Sequence, residues 1–296
     1  MSDNYSDEEL LKAVGEKLHE KDSTFEKLKE SYSELEMAHK RIYESEKSKS
    51  HFLSNLRNEL NNPMAAILAL SQEMVDIDLK DIEKYKKVAH LMSNEALNLD
   101  FQLRNLLCAA ELESGDVQME IVKVNVNTLV DDAFRNLVYM VENKSIKISK
   151  DIEDELWVHS DPDKLAIVIS NLISNGVVFN EEGGTLEVKA TLERDELVLT
   201  VKDVGIGISD ANKEKIFDRF FQLDQGSTKK FMGLGLGLSI VKAICDLLDG
   251  AVTVKSKPGS GSEFTFKMPA NLDKKADNIC VDGVELFGAA GEEREF

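Results

Sequence analysis

The sequence predicts an α plus α/β fold class: a coiled coil and a helical hairpin, followed by an α/β sandwich. Apolar residues first recur with the seven-residue spacing of a coiled coil, and then in two helical runs separated by a short polar segment. After Gly115 the pattern changes to strands alternating with helices. That mixture is typical of helices packed on one face of a mixed sheet.

Composition sets limits on the function. The 296 residues are enough for about two domains. The net charge of −19 argues against a general binder of nucleic acids or anionic membranes, because both require a basic surface. No apolar run approaches the roughly 18 residues of a membrane-spanning helix, so we expect a cytoplasmic protein without a membrane span. Cys108, Cys245 and Cys280 are scattered and odd in number, which indicates reduced thiols.

Residues 1–48 carry two interleaved series of mostly apolar residues, one beginning at Leu11 and the other at Val14. The steps between the series alternate three and four residues, which is the spacing of a two-stranded seam. A single amphipathic helix packed on a globular body is the alternative. Because the segment is rich in charge and lacks proline, we expect a dimeric coiled coil that continues into the next helix.

Residues 49–116 are expected to form a helical hairpin. Apolar periodicity continues past Pro63, so this proline predicts a kink within the first helix. Asp76–Asp81 supplies a polar turn, and a second helical run extends from Ile82 to a C-cap at Ser114-Gly115. One hairpin buries little surface, so two of them are expected to form a four-helix bundle across a dimer axis.

The segment Phe52–Pro63 resembles the phosphoacceptor segment of sensor histidine kinases. In that family the kinked helix carries a His-Glu pair one helical turn before the proline. Here Glu59 and Pro63 are present, but Asn58 stands where the family has its histidine. An amide nitrogen delocalises its lone pair into the carbonyl, so it is too poor a nucleophile to accept a phosphoryl group. Autophosphorylation at this position is therefore excluded.

The other histidines offer few substitutes. His51 lies seven residues before Asn58, on about the same helical face, and is a displaced acceptor or a solvated bundle residue. We favour the second interpretation, because no acidic residue follows it. His39 and His90 are interpreted as structural, and His159 is given no role.

Residues 117–270 contain the mixed pattern. Strands are expected at Val122–Val126, Ile146–Ile152 and Trp157–His159, and in two hairpins, Thr185–Leu192 with Glu196–Asp203 and Ala251–Ser256 with Glu263–Met268. Helices are expected at Asn127–Glu142, Asp161–Phe179 and Phe231–Leu248.

Four clusters in this domain indicate chemistry. Asn171 and Asn175 share one helical face, and an amide oxygen can complete the shell of a magnesium ion. Asp203 follows a strand and can accept from an exocyclic amine, beside glycines that let the backbone pass close to a ring. Ile216–Phe221 predicts a short amphipathic helix with an exposed arginine. The run Gly233–Ser239 is glycine-rich and then helical, so backbone N–H groups there would bind an anion.

In this order and with these gaps, the clusters resemble the ATP-binding domain of the histidine kinase, gyrase, Hsp90 and MutL superfamily, and within it the histidine kinase branch. The resemblance covers about residues 45 to 270. It implies binding of ATP or ADP with magnesium, with Asn175 as the magnesium ligand and Asn171 near the phosphates. The other implied roles are adenine recognition by Asp203 beside Gly205 and Gly207, a triphosphate loop at Gly233, Gly235 and Gly237, and a mobile lid from Phe220 to Met232.

Three residues depart from the family pattern. Val178 stands where many relatives have a basic residue, so a phosphate contact is lost. Gly176 replaces a usual alanine and is expected to loosen its helix, and Arg57 precedes Asn58 where a small residue is common. Residues 271–296 fall outside the family domain, as a disordered tail or an added strand.

The resulting hypothesis is a homodimeric two-component-type protein, a nucleotide-binding pseudokinase that acts as a scaffold for another signalling protein, a kinase or a response regulator. Two alternatives stay open. The chain could be an active kinase that phosphorylates a histidine on a partner chain in trans. It could also be an engineered acceptor knockout of a working kinase, although Arg57 and Val178 favour natural divergence.

Overall fold

The structure is a computed structural model and describes residues 56–78, 81–222, 234–271 and 279–280. All of these residues belong to one compact unit, Phe52–Leu286. The coiled coil predicted for residues 1–48, the substitute acceptor His51 and the loop residue Gly233 lie outside the described residues. Within the described part, no helix combines the length and the apolar character needed to cross a membrane.

Two helices form the predicted hairpin. Helix α1 covers residues 56–76 of the described chain and continues through Pro63 without interruption. Helix α2 spans Ile82–Ser114; Asp81 caps its start by accepting from the backbone N–H of Lys84. Gly115 ends α2 and adopts the left-handed conformation, with φ of 70°, as expected for a glycine at a helix C-cap. The C-cap therefore lies where the sequence predicts it, and α1 ends and α2 begins on either side of the predicted turn.

Much of the apolar surface of the hairpin is exposed. Of the 33 residues of α2, six are buried, and five of these lie between Gln102 and Leu112, in the half that contacts the C-terminal domain. Among the described residues of the hairpin, the exposed large apolar side chains are Met64, Leu68, Val75, Ile82, Tyr85, Leu103 and Leu107. The hairpin therefore has an apolar surface that its own two helices do not cover.

The C-terminal domain is built on a mixed five-stranded sheet in the order β3-β5-β6-β8-β7. Its strands are β3 (Lys147–Ile152), β5 (Thr185–Glu193), β6 (Glu196–Asp203), β7 (Ala251–Ser256) and β8 (Ser262–Pro269). The pair β3–β5 is parallel and the other neighbours are antiparallel. Three smaller strands precede or separate these elements, namely β1 (Asp116–Val117), β2 (Val122–Asn125) and β4 (Trp157–Ser160), of which β2 and β4 pair with each other.

Helices cover one face of this sheet, as predicted. They are α3 (Val126–Arg135), α4 (Val138–Asn143), α5 (Pro162–Val178) and α6 (Gly237–Leu247). Strands β5 and β6 alternate buried and exposed side chains, so one face packs on the helices. Nine of the 17 residues of α5 are buried, which makes this helix the centre of the domain core.

Two predicted helices differ from the structure. The helix expected at Asn127–Glu142 is divided into α3 and α4, because the N–H groups of Asn136 and Leu137 turn back to carbonyls of α3 and end it. The helix expected from Phe231 begins later, at Gly237. Gly235, just before it, has φ of 68°, which a right-handed helix cannot include.

The cluster Ile216–Phe221 is also not the predicted amphipathic helix. It contains a single 3-10 turn, Lys215–Phe217, which ends where Asp218 adopts an extended conformation with ψ of 144°. Beyond the sheet, Ile279–Cys280 pairs with β1 as a short antiparallel strand, β9. At this one point the segment after residue 270 adds a strand, which was one of the two expectations for it.

Candidate functional site

A cavity of about 630 Å³ lies between α2 and the C-terminal domain. Six of the predicted nucleotide-site residues line it, although they come from different elements: Asn171, Asn175, Asp203, Gly207, Gly235 and Gly237. Two others, Gly205 and Phe220, are not part of its wall but support it through the backbone. Helix α2 supplies one side of the cavity, from Leu91 to Asn105.

Helix α5 positions the two asparagines. Asp161 caps its start by accepting from the N–H of Lys164, and Pro162 occupies its first turn. The four-residue spacing then places Asn171 and Asn175 one turn apart on the cavity side. At Gly176 the expected loosening is absent. The helix continues to Val178, and a β-carbon at Gly176 would lie 2.5 Å from Cδ1 of Leu186, so glycine here permits close packing on the sheet.

The side chain of Asn171 is buried and held on both sides. Its Nδ2 donates to Oδ1 of Asn105 over 2.7 Å and to the carbonyl of Ile167 over 2.9 Å. Its Oδ1 lies against Gly237, where an added β-carbon would come within 2.4 Å of that oxygen. Gly237 is therefore required for close approach, and Asn171 joins α2, α5 and the start of α6.

The start of α6 forms the predicted anion-binding end of the cavity. Gly237 and Leu238 line the cavity there. The N-cap residue Leu236 makes no side-chain cap hydrogen bond, so the first N–H groups of α6 are not satisfied by a cap. Unsatisfied N–H groups and the positive end of the helix dipole favour an anion at such a terminus.

Asp203 is the buried carboxylate of the site. Its Oδ1 accepts from the N–H groups of Gly205, over 2.8 Å, and Ser262, over 3.2 Å. Burial raises the pKa of Asp203, and these hydrogen bonds oppose the rise. A β-carbon at Gly205 would lie 1.9 Å from the carbonyl oxygen of Phe179. A β-carbon at Gly207 would lie 1.9 Å from the carbonyl oxygen of Lys257. Both glycines therefore allow two backbone segments to contact each other directly.

The two ends of the predicted lid are tied together. Phe220 adopts a left-handed conformation, with φ of 63°, and its N–H donates to the carbonyl of Gly235 over 2.9 Å. A β-carbon at Gly235 would come within 2.9 Å of the backbone of Phe220. Phe221 and Gln222, rather than Phe220, line the cavity. Of the predicted lid, residues 223–232 lie outside the described residues.

Basic groups are sparse around the cavity. Among the described lining residues, Lys144 is the single lysine or arginine, and sequence reasoning missed it. Its Nζ donates to the carbonyls of Val177, Val178 and Asn180 at the end of α5, and burial lowers its pKa. The structure brings Lys144 to Val178, the position without the expected basic side chain, from 34 residues away.

Arg219 departs from the sequence prediction of an exposed arginine. Its side chain is half-buried, and burial lowers its pKa while the charge of Glu113, on α2, opposes the fall. Because α2 folds back onto the C-terminal domain, this arginine and the end of α2 come together. A local helical pattern around Ile216 could not show that contact.

The acceptor position lies apart from the cavity wall. Asn58 is exposed, whereas the neighbouring Glu59 is 2% exposed. Successive residues of a helix point about 100° apart, which explains how the pair faces two environments. Neither residue lines the cavity. In this arrangement the carboxylate next to Asn58 faces inward.

The donor set fits a metal ion that arrives with a nucleotide. Asn175 offers one neutral amide oxygen at the cavity, and among the described residues no group of three His, Cys, Asp or Glu side chains is placed to hold a metal. Magnesium keeps several waters and binds through one or two protein oxygens plus substrate phosphates. A single amide oxygen beside an anion-binding helix terminus suits that mode.

Comparisons with known proteins agree with this geometry. Residues 160–272 match the family of histidine kinase-, DNA gyrase B- and HSP90-like ATPases. The chain is 29% identical over 233 residues to the sensor-like histidine kinase SenX3 of Mycobacterium tuberculosis, which covers 79% of this chain and 57% of SenX3. It is 29% identical over 234 residues to the sensor histidine kinase RppB of Synechocystis, which covers 79% of this chain and 52% of RppB.

One solved structure has a similar fold. Full-length ShkA in complex with AMPPNP superposes with a TM-score of 0.52 at 25% identity, over 73% of this chain and 45% of ShkA. The chain spans about half the length of the curated relatives it matches.

Proposed function

We propose, from the finding that this chain belongs to the histidine kinase family and has its ATP-binding domain, that it is a nucleotide-binding signalling protein unable to phosphorylate itself at residue 58. One observation carries the proposal. The cavity gathers Asn171, Asn175, Asp203 and the glycine segments, while an amide occupies the exposed position expected of the acceptor. The chain would act as a pseudokinase and regulatory scaffold, whose output is a conformation rather than a phosphoryl group.

Nucleotide binding would use the residues of this cavity. The ionised Asp203 would accept from the adenine amine, since its Oδ1 is oriented by two backbone N–H groups. The N–H groups at the start of α6 would face the phosphates, and Asn175 would complete the shell of a magnesium ion that neutralises them. AMPPNP, a nucleotide, is the ligand of the similar protein ShkA, which supports this assignment.

A homodimer would complete the hairpin. The exposed apolar residues of α1 and α2 lie at helical spacing, as Met64, Leu68 and Val75 show with exposed fractions of 56%, 61% and 84%. Exposed apolar surface of this kind marks an interaction site. A second copy of the chain would cover it as a four-helix bundle, with the coiled coil before it. Another signalling protein, a kinase or a response regulator, is the proposed downstream partner.

The test of nucleotide binding is calorimetric titration with ADP and magnesium, comparing the unaltered chain with Asp203→Asn. Asparagine keeps the size and the acceptor oxygen for Gly205 and Ser262 but removes the charge. We expect the unaltered chain to bind, and Asp203→Asn to bind about 10-fold or more weakly, since hydrogen bonds to charged groups contribute about 1.5–3 kcal/mol. Equal binding by both would remove Asp203 from the site, and no binding by either would leave a purely structural adaptor.

The test of phosphotransfer uses labelled ATP. The proposal expects no acid-labile phosphate on the chain, because Asn58 cannot accept it. Label on any histidine of the chain would overturn that part of the proposal. Label that appears on an added histidine kinase partner, and depends on Asp203, would establish the alternative of a kinase acting in trans.

A further inference from the structure

A hydrogen bond joins the nucleotide cavity to the hairpin. Nδ2 of Asn171 donates to Oδ1 of Asn105, which belongs to α2 and lies 66 residues earlier. Both residues are buried, with 3% and 7% of their surfaces exposed, so water does not compete strongly for the bond. The ion pair between Lys164 and Glu111 lies six to seven residues away along the same two helices and holds them together.

The hydrogen-bonding capacity of Asn171 is limited. An asparagine amide has two N–H donors. Asn105 and the carbonyl of Ile167 take both of them, and the oxygen of Asn171 packs against Gly237. Phosphate oxygens only accept hydrogen bonds, so they need a donor. While α2 is docked in this way, Asn171 has no N–H left to offer.

We propose that Asn105 and the phosphates of a bound nucleotide compete for the amide of Asn171, so that nucleotide binding loosens α2 from the ATP-binding domain. This inference rests on the proposed nucleotide binding and adds its consequence for the hairpin. The competition is reciprocal, because the factor by which the Asn105 contact weakens nucleotide binding is also the factor by which a bound nucleotide weakens that contact. A chain that cannot pass on a phosphoryl group could thereby report nucleotide occupancy through the position of its hairpin.

The experiment measures binding of two probes, ADP with magnesium and adenosine, to the full chain by calorimetry. Asn105→Leu removes the competing oxygen, so we expect ADP to bind about 2- to 10-fold more tightly, the range of one net hydrogen bond. Adenosine has no phosphates, so its affinity should change less than that of ADP. Asn105→Asp keeps an acceptor and adds negative charge, so it should weaken ADP binding. If Asn105 had only a structural role, both substitutions would change the affinity for ADP in the same direction.

Ser93→Leu is the matched control, since it introduces the same leucine on the same helix about three turns from Asn105, at an exposed position outside the cavity wall. Thermal unfolding verifies that each variant folds, and Asn105→Ala replaces Asn105→Leu if the larger side chain is not accepted.

The inference fails if ADP affinity is unchanged or falls in Asn105→Leu, or if adenosine affinity changes equally. If only this inference is wrong, the unaltered chain still binds ADP, and that binding still depends on Asp203. If the unaltered chain binds no ADP, both the inference and the proposed function fail.

Discussion

The helices α2 and α5 belong to the same chain but are stabilised in different ways. In α5, nine of 17 residues are buried, and six of these have large apolar side chains. In α2, six of 33 are buried, and two of these are the amides Gln102 and Asn105. The ATP-binding domain therefore carries its own core, whereas the hairpin depends on contacts that come from elsewhere.

This difference separates two tasks. A self-contained core fixes the cavity residues relative to one another, as nucleotide binding requires. A hairpin with few buried apolar residues can change its position at low cost, because little surface has to leave the core. A protein that reports nucleotide occupancy by conformation needs one region of each kind.

The largest expected effect comes from making the same change in both regions. Leu165 on α5 is fully buried, and Leu107 on α2 is 64% exposed. Leu165→Ala should lower the free energy of unfolding of the ATP-binding domain by about 2–5 kcal/mol, because it leaves a cavity in the core. Leu107→Ala should change it by less than about 0.5 kcal/mol. Denaturant unfolding followed by fluorescence of Trp157, the one tryptophan of the chain, measures both. Equal losses would show that the two regions form one core.

A charge on the exposed apolar face should break the dimer. Leu107→Asp places a carboxylate in the proposed bundle, so we expect light scattering to report the mass of a monomer where the unaltered chain forms a dimer. Lys87→Asp is the control, since 20 residues at 3.6 per turn put it on the opposite side of α2. A dimer that survives Leu107→Asp would show that this face is not the interface. Trp157 fluorescence should be unaffected in either case.

Nucleotide affinity should depend on pH through Asp203. Burial raises the pKa of this carboxyl group in the folded protein, so its charged form is lost at a higher pH than in an ordinary aspartate. As the pH falls, ADP binding should therefore weaken at a higher pH than it would if Asp203 had the pKa of a solvent-exposed aspartate. Calorimetry across a pH series tests this, with Asp203→Asn as the reference in which residue 203 cannot titrate. Parallel curves for the two proteins would assign the pH dependence to another group.

Substitution of the helix caps is expected to have the smallest effect, and it again compares the hairpin with the ATP-binding domain. Asp81 caps α2, and Asn125 caps α3, each accepting from an N–H three residues later. Replacement by alanine at either site should cost about 1 kcal/mol of local helix stability. Asn125→Ala should move the unfolding transition followed by Trp157 fluorescence to a lower denaturant concentration. Asp81→Ala should leave that transition unchanged but should speed hydrogen exchange at the start of α2. A shift caused by Asp81→Ala would contradict the independence of the two regions.

Prediction from sequence succeeded where the signal is local. Asp161-Pro162 and Ser114-Gly115 mark helix ends because caps act within a few residues, and the structure has helices beginning and ending there. The strand hairpin β5–β6 follows from alternation, with Arg194 and Asp195 in the left-handed region at its turn. The break at Asn136–Leu137 was missed, because neither glycine nor proline marks it.

Prediction failed for contacts between distant segments. Arg219 was expected to be exposed, but in the folded chain it is half-buried and lies near the charge of Glu113 on α2. The role of Lys144 at the end of α5 also had no local signal, since the carbonyls it binds are 33 to 36 residues away.

The sequence by itself determined the chemistry of single residues. An amide at position 58 cannot accept a phosphoryl group in any conformation, and the order of Asn171, Asn175, Asp203 and the glycines already resembles that of the family. The tertiary structure alone decided that the amide of Asn171 is bound by Asn105 and that Glu59 faces inward next to an exposed Asn58. The reason is physical. Bond chemistry belongs to each side chain, whereas burial and pairing arise when segments far apart in the chain exclude water together.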